Sequence, residues 1–341
     1  MMKDHELGGQ LLAGVSRSFY LTLKALPEGL REPISLGYLL ARTADTMADT
    51  ASAPQSVRAE CLREFDRLAQ IGESEEAAEG ALYERLRQEF IPHQSDAAEA
   101  ALLGRLPEIF TALRATPSHN AAHIRSVLAP ITRGQLLDLE RFPADGELHV
   151  LNTADELDEY TYLVAGCVGG FWTKLCGQAS PPVLSGEKAV DEMLVLGIRY
   201  GKGLQLVNIL RDVGKDLAMG RCYFPLEDLQ KHGLTLEHVK KDPATLLPVM
   251  SPWRTLCREH LTCGVDYLKG LKSGRVAYAT ALPLLLGIRT LARVGKADWA
   301  ELAKGVKVSR SEVAKIMFDA GVAAVKENGI FRLAEKYQSS R

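Results

Sequence analysis

At 341 residues, with 46% hydrophobic and 25% charged residues, the chain has the balance of a soluble globular protein and suffices for one large domain or two. Its formal net charge of -2 lacks the Lys/Arg excess that neutralising a phosphate backbone requires, so a nucleic-acid partner is excluded. Six cysteines (Cys61, Cys167, Cys176, Cys222, Cys257 and Cys263) are scattered without a C-x-x-C pair and read as reduced core thiols of an intracellular protein.

In chain order, the N-terminal "MMKDHELGGQLLAG" has no basic region followed by a long apolar core, so no signal peptide is expected. "LPEG" at 26 to 29 marks a turn ahead of a helical run at 38 to 50. Apolar residues at three- and four-residue spacing then predict helices over 57–71, 80–90, 96–115, 123–142 and 155–176. "ATPSHN" at 115 to 120 and "ASPPVLSG" at 179 to 186 are turns. Helices resume over 187–218, 253–270, 275–293, 298–304 and 309–336, with "KDPATLLPVMSP" at 241 to 252 read as turn. The most apolar stretch, "YATALPLLLGIRTLA", contains a proline and an arginine and falls short of the roughly 18 residues of a membrane span. The end, "LAEKYQSSR", carries no membrane tail, and no amphipathic anchor stands out. These features predict a single all-α domain over residues 1–341, with no solenoid repeat, located in the cytoplasm. His119 and His123 form an i,i+4 pair beside a proline turn with no third ligand nearby, and read as the start of a surface helix rather than a metal site.

Two stretches break the apolar pattern. In "YLLARTADTMADT", residues Tyr38, Arg42, Asp45 and Asp49 fall within a helical sector of roughly 60°, while Leu39, Leu40 and Met47 point elsewhere. In "QLVNILRDVGKDLAMGRCYFP", Gln205, Asn208, Asp212 and Asp216 share one narrow face with Arg211 at its flank. One D-x-x-x-D on a helix is ordinarily a solvated face. Two matched stripes inside apolar helices need either water or a cation, because burying four unpaired carboxylates is prohibitive. Aspartate oxygens from two helices suit Mg²⁺, which keeps waters and completes its shell with phosphate oxygens. Arginine forks beside them suit the remaining phosphate oxygens. Departure of a diphosphate is the chemistry this favours, with an apolar pocket around the carbocation left behind.

Four blocks, in order, resemble the squalene/phytoene synthase family of head-to-head prenyl transferases. They are "SRSFYLTLKALP" (16 to 27), the first aspartate motif "YLLARTADTMAD", "YTYLVAGCVGG" (160 to 170), and "NILRDVGKDLAMGRCYFP" with its trailing G-R-x-Y-x-P. Together they span most of residues 16–225. The resemblance implies an all-α isoprenoid-synthase bundle around a central cavity. It implies Mg²⁺ at Asp45, Asp49, Asp212 and Asp216. Arg42 and Arg211 would sit beside the diphosphates, with Arg17 and Ser16 or Ser18 reaching in from the N-terminal segment. Gln205 and Asn208 would complete the polar floor, and Arg221 would contact a diphosphate or pair with a carboxylate. Tyr38 and Tyr160 are candidates for cation stabilisation or proton relay, or are core rings. The small residues of "VAGCVGGFW" permit either close helix packing or a channel for isoprenoid tails. Two departures stand out: Ala48 and Thr50 replace extra acids common in squalene synthases, and Lys215 stands where a glutamate is common.

The segment "KGVKVSRSEVAKIM" (304 to 317) resembles the squalene synthase C-terminal segment associated with the nicotinamide site. Lys307 and Arg310 would then suit the 2′-phosphate of NADPH, with residues 299–341 contributing to that site. The plainer reading is an N-cap at Ser309, a capping box with Glu312 and ordinary surface cations. The expected reaction condenses two farnesyl diphosphates to presqualene diphosphate, then reduces it with NADPH to squalene. A non-reductive member of the family, making presqualene diphosphate, hydroxysqualene or a phytoene-type product, is the alternative. A non-catalytic relative would have lost the aspartates. No obligate protein partner is expected, and peripheral contact with the inner membrane face follows from an insoluble product.

Overall fold

A computed structural model describes residues 6–16, 19–272 and 274–339. Contacts sort the chain into two compact units, one of residues 1–140 with 178–180 and one of 141–177 with 181–341. In the first unit a π-helical turn, Glu6–Leu11, leads into α1 (Leu12–Ser16), α2 (Phe19–Ala25), α3 (Glu28–Asp49) and α4 (Gln55–Gln70). Then follow α5 (Glu76–Glu89), α6 (Ala97–Gly104), α7 (Leu106–Ala115) and α8 (Ser118–Arg141). The second unit holds α9 (Ala154–Thr161), α10 (Cys167–Gln178), α11 (Val190–Ala218), α12 (Leu226–Lys231) and α13 (Leu236–Lys241). It continues with α14 (Leu246–Lys269), α15 (Arg275–Val294), α16 (Trp299–Lys304), α17 (Arg310–Ala324) and α18 (Gly329–Ser339). Strand structure among the described residues is one parallel pair, β1 (His149–Val150) and β2 (Arg221–Cys222). The all-α expectation holds.

Periodicity explains the core. Helix α4 buries Cys61, Leu62, Phe65 and Leu68, one stripe of a 3.6-residue helix, and Phe65 stacks on Phe110 of α7 with ring centroids 5.7 Å apart. In α15 the apolar run is buried almost throughout, as a helix surrounded by protein requires. All six cysteines are unpaired and buried, and burial pushes the Cys61 thiol up to about 11.

The structure departs from the sequence reading in several places. The helix predicted over 96–115 is two, broken at Arg105. Pro107 sits within the first two positions of α7, where its missing N–H would be unpaired anyway. The turn read over 115 to 120 shrinks to two residues, since α8 starts at Ser118, and α12 and α13 lie where no helix was read. The stretch 241 to 252 is turn only in part, since α14 starts at Leu246. Pro248 falls in its first turn, where no backbone donor is needed, and Pro252 is accommodated inside the helix. The helix predicted over 309–336 divides where Asn328 turns to φ 53°, a left-handed conformation that asparagine tolerates. The helix predicted over 155–176 is continuous but carries a π-helical turn, Tyr162–Gly166.

That turn opens the small-residue run, and the choice between close packing and a channel is decided at Gly169. A Cβ built there would stand 1.9 Å from the Gly197 carbonyl oxygen, and one at Gly201 would stand 2.3 Å from that of Ala165. The run therefore lets α11 approach backbone to backbone. Thr173 adds a hydroxyl bond of 2.8 Å to the Gly169 carbonyl and accepts no larger neighbour at Gly197, whose Cβ would lie 2.5 Å from its Oγ1. Gly169→Ala should destabilise the protein by about 1–3 kcal/mol through overpacking. Gly80→Ala in α5, where nothing lies within 4 Å, should stabilise it by about 0.5–1 kcal/mol. Urea denaturation of the two variants against the parent tests both signs at once.

Candidate active site

Helix α3 presents its stripe as the sequence predicts. Leu39, Leu40 and Met47 are fully buried, while Tyr38, Arg42 and Asp45 are half-buried and Asp49 is exposed. Arg42 forms ion pairs with both Asp45 and Glu99 of α6. Gln135 of α8 donates to the other Asp45 oxygen at 3.1 Å. One guanidinium thus serves two carboxylates, leaving this trio at a formal charge of -1. Burial pushes the Asp45 carboxyl above its ordinary range, against the opposing pull of Arg42 and Gln135. The Arg42 Nε–H is buried with no hydrogen-bond partner, an unsatisfied donor inside the protein. Tyr38 donates to the Val15 carbonyl at 3.1 Å and packs on Phe19 at 5.3 Å between ring centroids, tying α3 to α1 and α2.

On α11 the charges gathered on the first aspartate have the opposite balance. Asp212 is held by Arg211 through Nε at 3.1 Å and through Nη2, and by Lys215 Nζ at 3.4 Å. Two cations on one carboxylate give this trio a formal charge of +1. Burial alone would raise the Asp212 carboxyl, but Arg211 and Lys215 outweigh it and hold the group below its usual value. Asp216 lies one turn further on, half-buried. Asn208 donates to Gln205 Oε1 at 3.3 Å, so the two amides of the polar floor adjoin.

Tyr160 is buried and stacks on Tyr223 at 5.0 Å, the hydroxyls 3.3 Å apart. Phe142 meets the same Tyr223 ring edge-on at 4.9 Å. Arg221 lies on β2, opposite His149. The buried Ser16 hydroxyl donates to the Leu12 carbonyl one turn back. Arg17 and Ser18 lie outside the described residues. Lys307 and Arg310 are exposed, on either side of Ser309, which caps α17 by accepting the Glu312 N–H at 3.2 Å. The expected capping box does not close: the Glu312 carboxylate turns instead to Arg289 and Arg293, at 2.7 and 2.6 Å. His119 is exposed in the first turn of α8.

Three partners escaped the sequence reading. Glu99 stands three residues after the Asp96 N-cap of α6, a spacing that reads as a capping box. Gln135 carried no signal. Tyr223 lay inside the G-R-x-Y-x-P block, unassigned.

Among the described residues no three His, Cys, Asp or Glu side chains gather to hold an ion by themselves. Each aspartate pair would therefore need water and substrate oxygens to fill an octahedral shell, which is how Mg²⁺ is ordinarily held. The negative trio on α3 fits a divalent cation. The positive trio on α11 fits one only once Asp212 is released from Arg211, and as it stands it fits a phosphate.

The all-helical fold is that of the squalene synthase-type isoprenoid synthases. The chain belongs to the squalene/phytoene synthase family, whose model matches residues 12–312. It is 26% identical over 292 residues to the squalene synthase of Schizosaccharomyces pombe, covering 84% of this chain and 58% of that protein. It is 31% identical over 236 residues to the phytoene synthase of Arthrospira platensis, covering 66% of this chain and 62% of that one. The chain thus spans about six-tenths of the length of these curated relatives. Among solved structures, TcSQS in complex with the ligand E5700 shares the fold at a TM-score of 0.72 and 22% identity, over 97% of this chain and 90% of that chain.

The charge arrangement on α3 gives a test without substrate. A carboxyl whose folded value is raised binds its proton more tightly folded than unfolded, so its contribution to stability falls as pH rises from the ordinary carboxylate value through the raised one. In EDTA at neutral pH, Asp45→Asn should therefore melt no lower than the parent. Arg42→Ala, which leaves Asp45 and Glu99 facing each other, should lose about 1–3 kcal/mol. Adding Asp45→Asn to Arg42→Ala should restore part of that loss, and a double-mutant cycle of thermal midpoints measures it.

Proposed function

We propose that the chain is a prenyltransferase that joins two farnesyl diphosphates head to head to give presqualene diphosphate, and then ionises, rearranges and reduces this to squalene. What carries the reading is the pair of charged stripes, on α3 and α11, in a chain of this family. Asp45 and Asp49 would hold Mg²⁺ on the first stripe, and Asp212 and Asp216 on the second. Bound there, the metal neutralises the departing diphosphate. Arg42 would meet a diphosphate oxygen through its half-buried guanidinium, and Arg211 with Lys215 supplies a second cationic grip. On α11, a diphosphate oxygen taking Arg211 would free Asp212 to turn to the metal. Gln205 and Asn208 orient phosphate oxygens by hydrogen bonding.

The stacked rings of Tyr160 and Tyr223 present π-faces of the kind that stabilise a cation. Their adjacent hydroxyls make Tyr160 the better candidate for moving the proton lost on cyclopropane closure. Tyr38 already donates its own proton to the Val15 carbonyl. NADPH would supply the hydride, and the exposed cations Lys307 and Arg310 suit its 2′-phosphate.

A second reading, without reduction, is supported by the higher identity to a phytoene synthase, although over a shorter stretch. Farnesyl diphosphate and Mg²⁺ incubated with the protein, with and without NADPH, separate the two by mass analysis of the extracts. Squalene formed only with NADPH is the expected result. Presqualene diphosphate, hydroxysqualene or a dehydrogenated C30 product formed regardless of NADPH would overturn the reductive half. In the same assay Asp45→Asn and Asp212→Asn should each lower turnover by about a hundredfold or more, roughly 2.7 kcal/mol of lost transition-state stabilisation.

A further inference from the structure

A cavity in the second unit shares no lining residue with either aspartate stripe. It measures about 200 Å³ and is lined by α14, α15, α18 and the turn after α15. Leu261, Ile288 and Leu291 are buried and form its apolar floor. Arg258 and Lys296 are exposed and stand at its mouth.

The space has two causes in the sequence. On α15 the lining residue next to Leu291 is Ala292, whose methyl group leaves unfilled the room a larger side chain would take. On α18 the buried side chains are Ile330 and Ala334, both before the last turn. That last turn is held by hydrogen bonds: Gln338 donates to Thr262 Oγ1, and Tyr337 donates to Asp319 at 3.3 Å.

Charge at the mouth has one sign. Of the nine lining residues two are cations and none is acidic, and neither cation forms an ion pair among the described residues. Nearby acids are engaged elsewhere or stand apart. Asp319 is held by Lys315 at 2.8 Å, and Asp298 caps α16 by accepting the Glu301 N–H at 2.9 Å. Glu259 and Glu335, exposed on α14 and α18, do not line the cavity.

We propose that this cavity binds a short aliphatic chain bearing a carboxylate or a phosphate. The chain lies on Leu261, Ile288 and Leu291, and the head group sits between Arg258 and Lys296. An apolar cavity of about 150 Å³ takes a ring the size of benzene, so this larger one takes a chain of about six to eight carbons. The guanidinium fork and the ammonium point charge together suit one anionic oxygen cluster. Bound there, the ligand joins α18 to α14 and α15 by apolar contact, where the chain alone supplies hydrogen bonds. The proposal rests on this cavity and holds whichever product the chain makes.

The test is calorimetric titration of the full chain with octanoate, octyl phosphate and octanol. At least one of the two anions should bind at a single site, and octanol at least about tenfold more weakly. The tighter anion identifies the head group, and either order upholds the site. Shortening the chain by one methylene should weaken binding by up to about fourfold. Arg258→Gln with Lys296→Gln, both on the surface, should weaken binding of the anion at least about tenfold, and Ala292→Trp, which fills the cavity, should abolish it. Hydrogen exchange of residues 329–339 should slow when the anion is bound. Absence of binding by both anions, equal binding of octanol, or undiminished binding by the double variant would each overturn the proposal. So would displacement of the anion by inorganic diphosphate with Mg²⁺, which would place it at the aspartate stripes.

Discussion

The backbone contact between the small-residue run and α11 is the constraint on which the second unit's chemistry depends. At Gly169 and Gly197 two helices meet with no side chain between them, a separation that only glycine allows. From Gly201 to Asp212 the helix runs eleven residues, about 16 Å of rigid rod. Seating α11 by its glycines therefore sets where Gln205, Asn208, Arg211 and Asp212 come to lie. Polar side chains mounted on such a rod keep their spacing whatever occupies them, which is the precondition for holding a polyanion in a fixed pose.

The two stripes look alike in sequence and differ in charge. On α3 a single guanidinium divides itself between Asp45 and Glu99; on α11 two cations converge on Asp212. The difference follows from two residues. Glu99 comes from another helix and adds an acid to the first stripe, and Lys215 adds a base to the second.

How much of this was legible in the sequence follows from contact range. The stripes and the buried faces of α4 and α15 depend on neighbours three or four residues away, and such periodicity is visible in the chain. Glu99 and Gln135 act on α3 across 57 and 90 residues of sequence, and no local pattern encodes that. Glu99 was masked further by its capping-box spacing, and Glu312 deceived in the opposite sense: it has the box spacing but pairs with Arg289 and Arg293. Proline misled at 248 and 252 because its helix-breaking effect depends on position within the helix. The glycine run was legible as a gap in side-chain volume. What fills the gap, a ligand or another backbone, is decided by a helix some thirty residues later.

The π turn at Tyr162–Gly166 acts as a phase shifter within a continuous rod. One residue more than regular winding requires rotates everything beyond it by about 100°. The Tyr160 ring on its aromatic partner and the Gly169 backbone on α11 thus belong to two angular settings of the same helix. Deleting one residue from this turn would lock the settings together. With the glycines kept seated, the tyrosine would swing off Tyr223; with the tyrosine kept in place, side chains would be driven into α11. A length change of one residue, harmless in a surface loop, is here a choice between two packing contacts on one helix.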